Sequence, residues 1–145
     1  MSRRPLRDLM GNALHFAATG WQYSGNIEPT ALFLYGKDLA DLNENTTKVV
    51  SINWKNELHK EIIRTRIREK AEFENASAVV LFLPSNMSGP GRGTLLITGA
   101  VRSAMETAAV NFVFDTGDRT FSFSDMTRVD EPADTFFIGR PLRAM

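Results

Sequence analysis

The stretch from Asn53 to Pro84 constrains this chain most, because a charged amphipathic segment there runs straight into a solid apolar one. Trp54, Leu58 and Ile62 recur four apart, and Ile63, Ile67 and Ala71 form a second row four apart, one residue over. Taken as one stripe at the helical period, the two rows predict a helix over 54–74 with Leu58 and Ile62 in the core. Ala78-Val-Val-Leu-Phe-Leu, closed by Pro84, has no polar residue and reads as a strand buried on both faces. A helix feeding such a strand calls for a sheet covered on two sides.

The flanking segments supply that sheet. Leu6, Leu9, Met10, Ala13, Leu14 and Ala17 follow a helical stripe behind Ser2 and Pro5, with Gly20 as a natural stop. Ala31 to Tyr35 is a compact strand ended by Gly36, and Lys48 to Ile52 is a second one expected to pair with it. Asn53 or Ser51 is placed to cap the long helix. Thr94 to Thr98 begins the next strand.

Farther on, residues 106–115 and 118–125 flank Thr116-Gly117, a two-residue turn signal. With Asp115 opposite Asp118, Phe112 faces Phe121 and Val110 faces Phe123. The aromatics then gather on one side of the hairpin, with mostly polar residues on the other. Aspartates beside the turn can bond its backbone.

The predicted architecture is α+β: a single, mainly antiparallel sheet of five to six strands with two helices packed on it, in the order α-β-β-α-β-β-β-β. Short links after the second helix favour antiparallel pairing, because parallel neighbours need a long crossover. This order resembles the layout of roadblock-type and profilin-like small domains, and layout does not settle function. The chain is expected to form one domain over 1–131, followed by an extended tail over 132–145.

Composition narrows the function classes. Lysine plus arginine equals aspartate plus glutamate at 17 each, so no net field draws the chain to nucleic acid or to an anionic membrane. The absence of cysteine removes disulfides, thiolate chemistry and cysteine-based metal sites. No apolar run approaches the roughly 20 residues of a membrane span, and the amino terminus lacks the apolar core of a signal peptide. The expectation is a cytoplasmic protein with no membrane partner. Charge is nonetheless uneven. Lys60, Arg64, Arg66, Arg68 and Lys70 crowd the long helix, while seven carboxylates from Glu106 to Asp134 dominate the carboxyl-terminal third.

Four features invite a chemical role. Ser88, Gly89, Gly91, Arg92 and Gly93 lie in a glycine-rich loop over 85–93, whose backbone N–H groups and guanidinium suit an anion or nucleotide phosphate. The lysine and following helix of a phosphate loop are missing, so a plain strand connection is preferred. His15 and His59 lack an identifiable nucleophile or carboxylate partner, and neither they nor Glu28 show metal-ligand spacing. Asp115, Asp118, Asp125 and Asp130 lack the spacing of a calcium loop. Lys60, Arg64 and Arg68 share a helical face that could meet phosphates, but interleaved glutamates weaken it and no aromatic platform stands near.

No catalytic constellation emerges, and no cofactor is implied. The preferred reading is a non-catalytic binding or interaction module that self-associates or joins another protein. The adjacent apolar residues Phe136, Phe137 and Ile138 are its expected interface. The alternative is a small enzyme or anion binder using Arg92 and its glycines. The third is a nucleic-acid binder using the helix over 54–74.

Overall fold

Helix α1 (Arg4–Trp21) buries Leu6, Leu9, Met10, Ala13, Leu14 and Ala17 along one side, the stripe its spacing predicts. It runs one residue past Gly20, and Gly25 supplies the positive φ that turns the chain away. A computed structural model describes residues 4–36, 42–53, 55–89, 91–102 and 104–129. The boundary expected at 131 and the tail beyond it lie outside the described residues.

Seven strands follow α1: β1 (Thr30–Leu34), β2 (Thr47–Ser51), β3 (Ala78–Gly89), β4 (Arg92–Val101), β5 (Met105–Asp115), β6 (Thr120–Phe123) and β7 (Thr127–Arg128). Helix α2 (Glu57–Phe73) stands between β2 and β3. The strands form one sheet in the order β2-β1-β3-β4-β5-β6, with β7 also on β5, and every pairing is antiparallel. The predicted element order is therefore correct. The strand count exceeds the expectation because β7 is a two-residue bridge with no periodic signature of its own.

β1 and β3 carry solid apolar runs because both their faces are covered. On one face Leu32, Leu34, Val80, Phe82, Leu95, Ile97, Val110 and Phe112 pack with α1. On the other, Ala31, Phe33, Val79, Leu81 and Ala100 pack with Ile67 and Ala71 of α2. The approach of α1 is set at Gly99 on β4, where an added Cβ would lie 2.8 Å from Met10 Cγ. Arg7 then ties α1 to β5, its Nε donating to the buried Glu106 carboxylate at 2.6 Å.

The β5–β6 hairpin keeps the predicted faces but not the predicted pairs. Phe112 stands opposite Phe123 and Phe114 opposite Phe121, two residues from the expected register. The cause is a longer turn. Asp115 Oδ1 accepts from the N–H groups of Gly117 and Asp118, and Arg119 takes a left-handed φ of 55°, so four residues close the hairpin. A slip of two leaves every side chain on its original side, so Phe112, Phe114, Phe121 and Phe123 still cluster. Arg119 reaches back to the carbonyls of Gln22 and Tyr23 at the end of α1, where a cation is favoured by the helix dipole.

Candidate functional site

Helix α2 departs most from the sequence expectation. Its cap is Asn56, three residues later than Asn53: the Asn56 Oδ1 accepts from His59 N at 2.9 Å, while His59 Nδ1 accepts from Lys55 N at 3.0 Å. His59 is thus occupied in a reciprocal cap. At the other end Asn75 takes φ 57°, and Ala76 N donates to Ala71 O, the six-to-one bond of a Schellman stop.

Between these caps only one of the two apolar rows meets the sheet. Ile67 and Ala71 are buried and Ile63 is partly covered, whereas Leu58 and Ile62 are 73% and 43% exposed. The correction follows from helical geometry. At about 100° per residue, the arc from Leu58 through Ile62 and Ile63 to Ala71 spans roughly 220°, and a flat sheet covers about half a helix. The outward side therefore carries Leu58, Ile62 and, as the last helical residue, Phe73 at 91% exposure.

Cations fill out the inward side. Lys60 is 2% and Arg68 9% exposed, and Arg64 is also largely covered. Long aliphatic stems make this tolerable, since they pack while the heads reach charged partners. Arg64 pairs with Glu61 at 2.9 Å and Arg68 with Glu72 at 3.6 Å. The stripe Lys60, Arg64, Arg68, which carries only the third-ranked, nucleic-acid reading of the sequence, thus lies against the sheet.

At the carboxyl end of α2 a polar cluster joins helix to strand. Tyr35, just past β1, donates its hydroxyl to Glu74 Oε1, and Lys70 Nζ donates to Glu74 Oε2 at 2.9 Å while standing 5.6 Å over the Phe33 ring. Burial first, and then the bond to Glu74, push the Tyr35 phenol well above its ordinary range. The bond from Lys70 and then that from Tyr35 hold the Glu74 carboxyl below its usual value. The cluster is therefore complete only between two limits. Glu74 loses its part as pH falls through its lowered pKa, and Tyr35 loses its part as pH rises past the ordinary phenol range. In Glu74→Gln the phenolate of Tyr35 is expected at lower pH, read from its ultraviolet absorbance. An unchanged titration means the bond is not made.

The other sequence candidates are dispersed. The glycine-rich stretch is not a free loop. Residues 85–89 end β3 with a bulge, Gly89 pairs with Arg92, and Arg92 and Gly93 open β4 opposite Val113 and Phe112. Hairpin pairing thus commits much of the backbone a phosphate cradle would need. Glycine is required at 91 because φ is 70° and a Cβ there would lie 3.0 Å from Phe114 Cβ; the Gly91 carbonyl also accepts from Phe114 N at 2.7 Å. Ser88 lies on β3, and Arg92 is exposed at the turn. Phe136, Phe137, Ile138 and Asp130 lie outside the described residues. His15 is exposed on α1, and Asp115 serves the turn.

One cleft was not legible in the sequence. Because α1 lies over β3, β4 and β5, the same face of edge strand β2 is left open. A cleft of about 500 Å³ results, walled by Phe16, Trp21, Tyr23 and Val49, with Glu28 and Glu44 beside them. Aromatic walls with carboxylates suit a cation with an apolar body. Among the described residues no group of three or more histidines and carboxylates could hold a metal ion, and no helix is long and apolar enough to cross a membrane.

No protein-family model, no curated protein and no solved structure matches the chain. The likeness to roadblock-type and profilin-like domains accordingly stays one of element order.

Proposed function

We propose that this protein is a non-catalytic interaction module that self-associates, with the outward side of α2 as its contact surface. The observation that carries the reading is the exposure of Leu58, Ile62 and Phe73 along one side of a helix whose opposite side is already packed. Single apolar side chains on a surface are ordinary. A helix with apolar groups on two sides is different, because rotating it to bury one set would uncover Ile67 and Ala71 instead. A second cover, on the side away from the sheet, satisfies both. Full burial of each outward side chain is worth about 1.5–3 kcal/mol, enough together to support a contact. The tail residues 136–138, the interface expected from sequence, lie outside the described residues.

The test replaces Leu58 and Phe73 together by Ser. Folding stability is expected to change by less than about 1 kcal/mol, since both are exposed and substitutions at such positions cost little. Sedimentation velocity should then show weaker self-association than in the parent chain. A large loss of stability would place these residues in the core. Unchanged association would remove α2 from the interface.

A further inference from the structure

Four residues run down the middle of the outward side of α2 with a palindromic spacing: Ile62, Arg66, Glu69 and Phe73, separated by four, three and four positions. This is the spacing that keeps side chains on one seam of a paired helix. All four are exposed. The neighbouring charges of α2 are engaged within the domain, Arg64 with Glu61, Arg68 with Glu72 and Lys70 with Glu74. Arg66 and Glu69, at the centre of the seam, make no ion pair among the described residues.

We infer that the partner of this surface is a second copy of the chain, docked with the two α2 helices antiparallel about a two-fold axis passing between Arg66 and Glu69. The inference rests on the reading of α2 as the contact surface and adds the partner and the register. In an antiparallel pair, residues whose numbers share a constant sum stand opposite one another. A sum that sets Arg66 against Glu69 of the second copy also sets Ile62 against Phe73 of that copy, and the two-fold repeats both contacts. One register therefore gives two ion pairs at the centre and an apolar layer on each side. Leu58 lies beyond the outer layer and covers its end. Self-complementarity of this kind is what an isologous interface requires.

The alternatives are excluded by charge. Parallel helices in register would place Arg66 against Arg66 and Glu69 against Glu69, and like charges in an interface cost several kcal/mol. A shift of one helical turn, four residues, in the antiparallel pair would set Arg66 against Phe73, or Glu69 against Ile62 in the other direction, and leave those charges without opposite partners. The central ion pairs thus act as a register device, as polar seam positions do in coiled coils.

The experiment uses R66E and E69R on the full chain, separately and mixed, with sedimentation velocity at tens of micromolar and circular dichroism as a check on folding. Each variant alone brings two like-charged pairs together and is expected to weaken the homodimer by on the order of tenfold or more. Mixed in equal amounts they should restore it, because every Glu of one copy then faces an Arg of the other. Restoration only in the mixture identifies both partner and register. A parent chain that stays monomeric overturns the pairing and the self-association proposed above together. A dimer weakened by the Leu58 and Phe73 substitutions but indifferent to R66E and E69R overturns the register and leaves α2 as the surface. A dimer indifferent to all four substitutions overturns both.

Discussion

Phe82→Ala is expected to remove about 3–5 kcal/mol of folding stability, the range for deleting a large aromatic side chain from a packed core. Phe82 is fully buried on β3, the strand between β1 and β4, and its ring meets Trp21 edge to face at a centroid distance of 5.2 Å. Trp21 is itself pinned by a bond from its Nε1 to Thr30 Oγ1, so it is poorly placed to collapse into the space left behind. A cavity that cannot close costs more than the transfer term alone. Chemical denaturation followed by Trp fluorescence would measure the loss. A cost below about 1 kcal/mol would mean that the α1 face of the sheet repacks freely, contrary to the density of native cores.

Arg7→Met is expected to cost about 3 kcal/mol, at the lower end of the range for breaking a buried ion pair. The Glu106 side chain is 3% exposed and its Oε2 lies 2.6 Å from Arg7 Nε, so removing the guanidinium strands a carboxylate in the core. The lower end applies because Arg7 is itself 33% exposed, which leaves water a route to the site. Replacing Glu106 by Gln in the same chain should recover most of the loss, since removing both charges costs far less than removing one. The four proteins form a double-mutant cycle, with urea midpoints as the readout. Equal, additive losses would show that the two groups do not interact.

How much of this was legible beforehand differs from element to element. The stripe of α1 was fully legible because its six apolar residues occupy a single arc narrow enough for one sheet face to cover. β1 and β3 were legible because an unbroken apolar run has only one stable placement, between two covering layers. The β5–β6 hairpin was half legible. Alternation fixed which side Phe112 and Phe121 share, but registers two apart satisfy alternation equally, and Asp115 and Arg119 decided between them through the turn. The glycine-rich stretch reads from sequence first as a strand connection, and glycine serves a tight hairpin as readily as a phosphate cradle. The positive φ of Gly91 and the closeness of Phe114 show the structural need that this glycine meets.

The candidate site was the least legible, for a reason specific to α2. Local sequence determined that the helix would form and which residues lie on each of its sides, because helical periodicity depends only on spacing. It also set the palindrome of Ile62, Arg66, Glu69 and Phe73. Which side would face the sheet could not follow from periodicity, since both carry apolar residues and the inward one also carries cations. Tertiary structure decided it: Ile67 and Ala71 fit against Ala31, Phe33 and Val79, and the long stems of Lys60 and Arg68 could be buried beside them. Leu58, Ile62 and Phe73 were left outside because a helix has a full circumference and the sheet can cover only half of it.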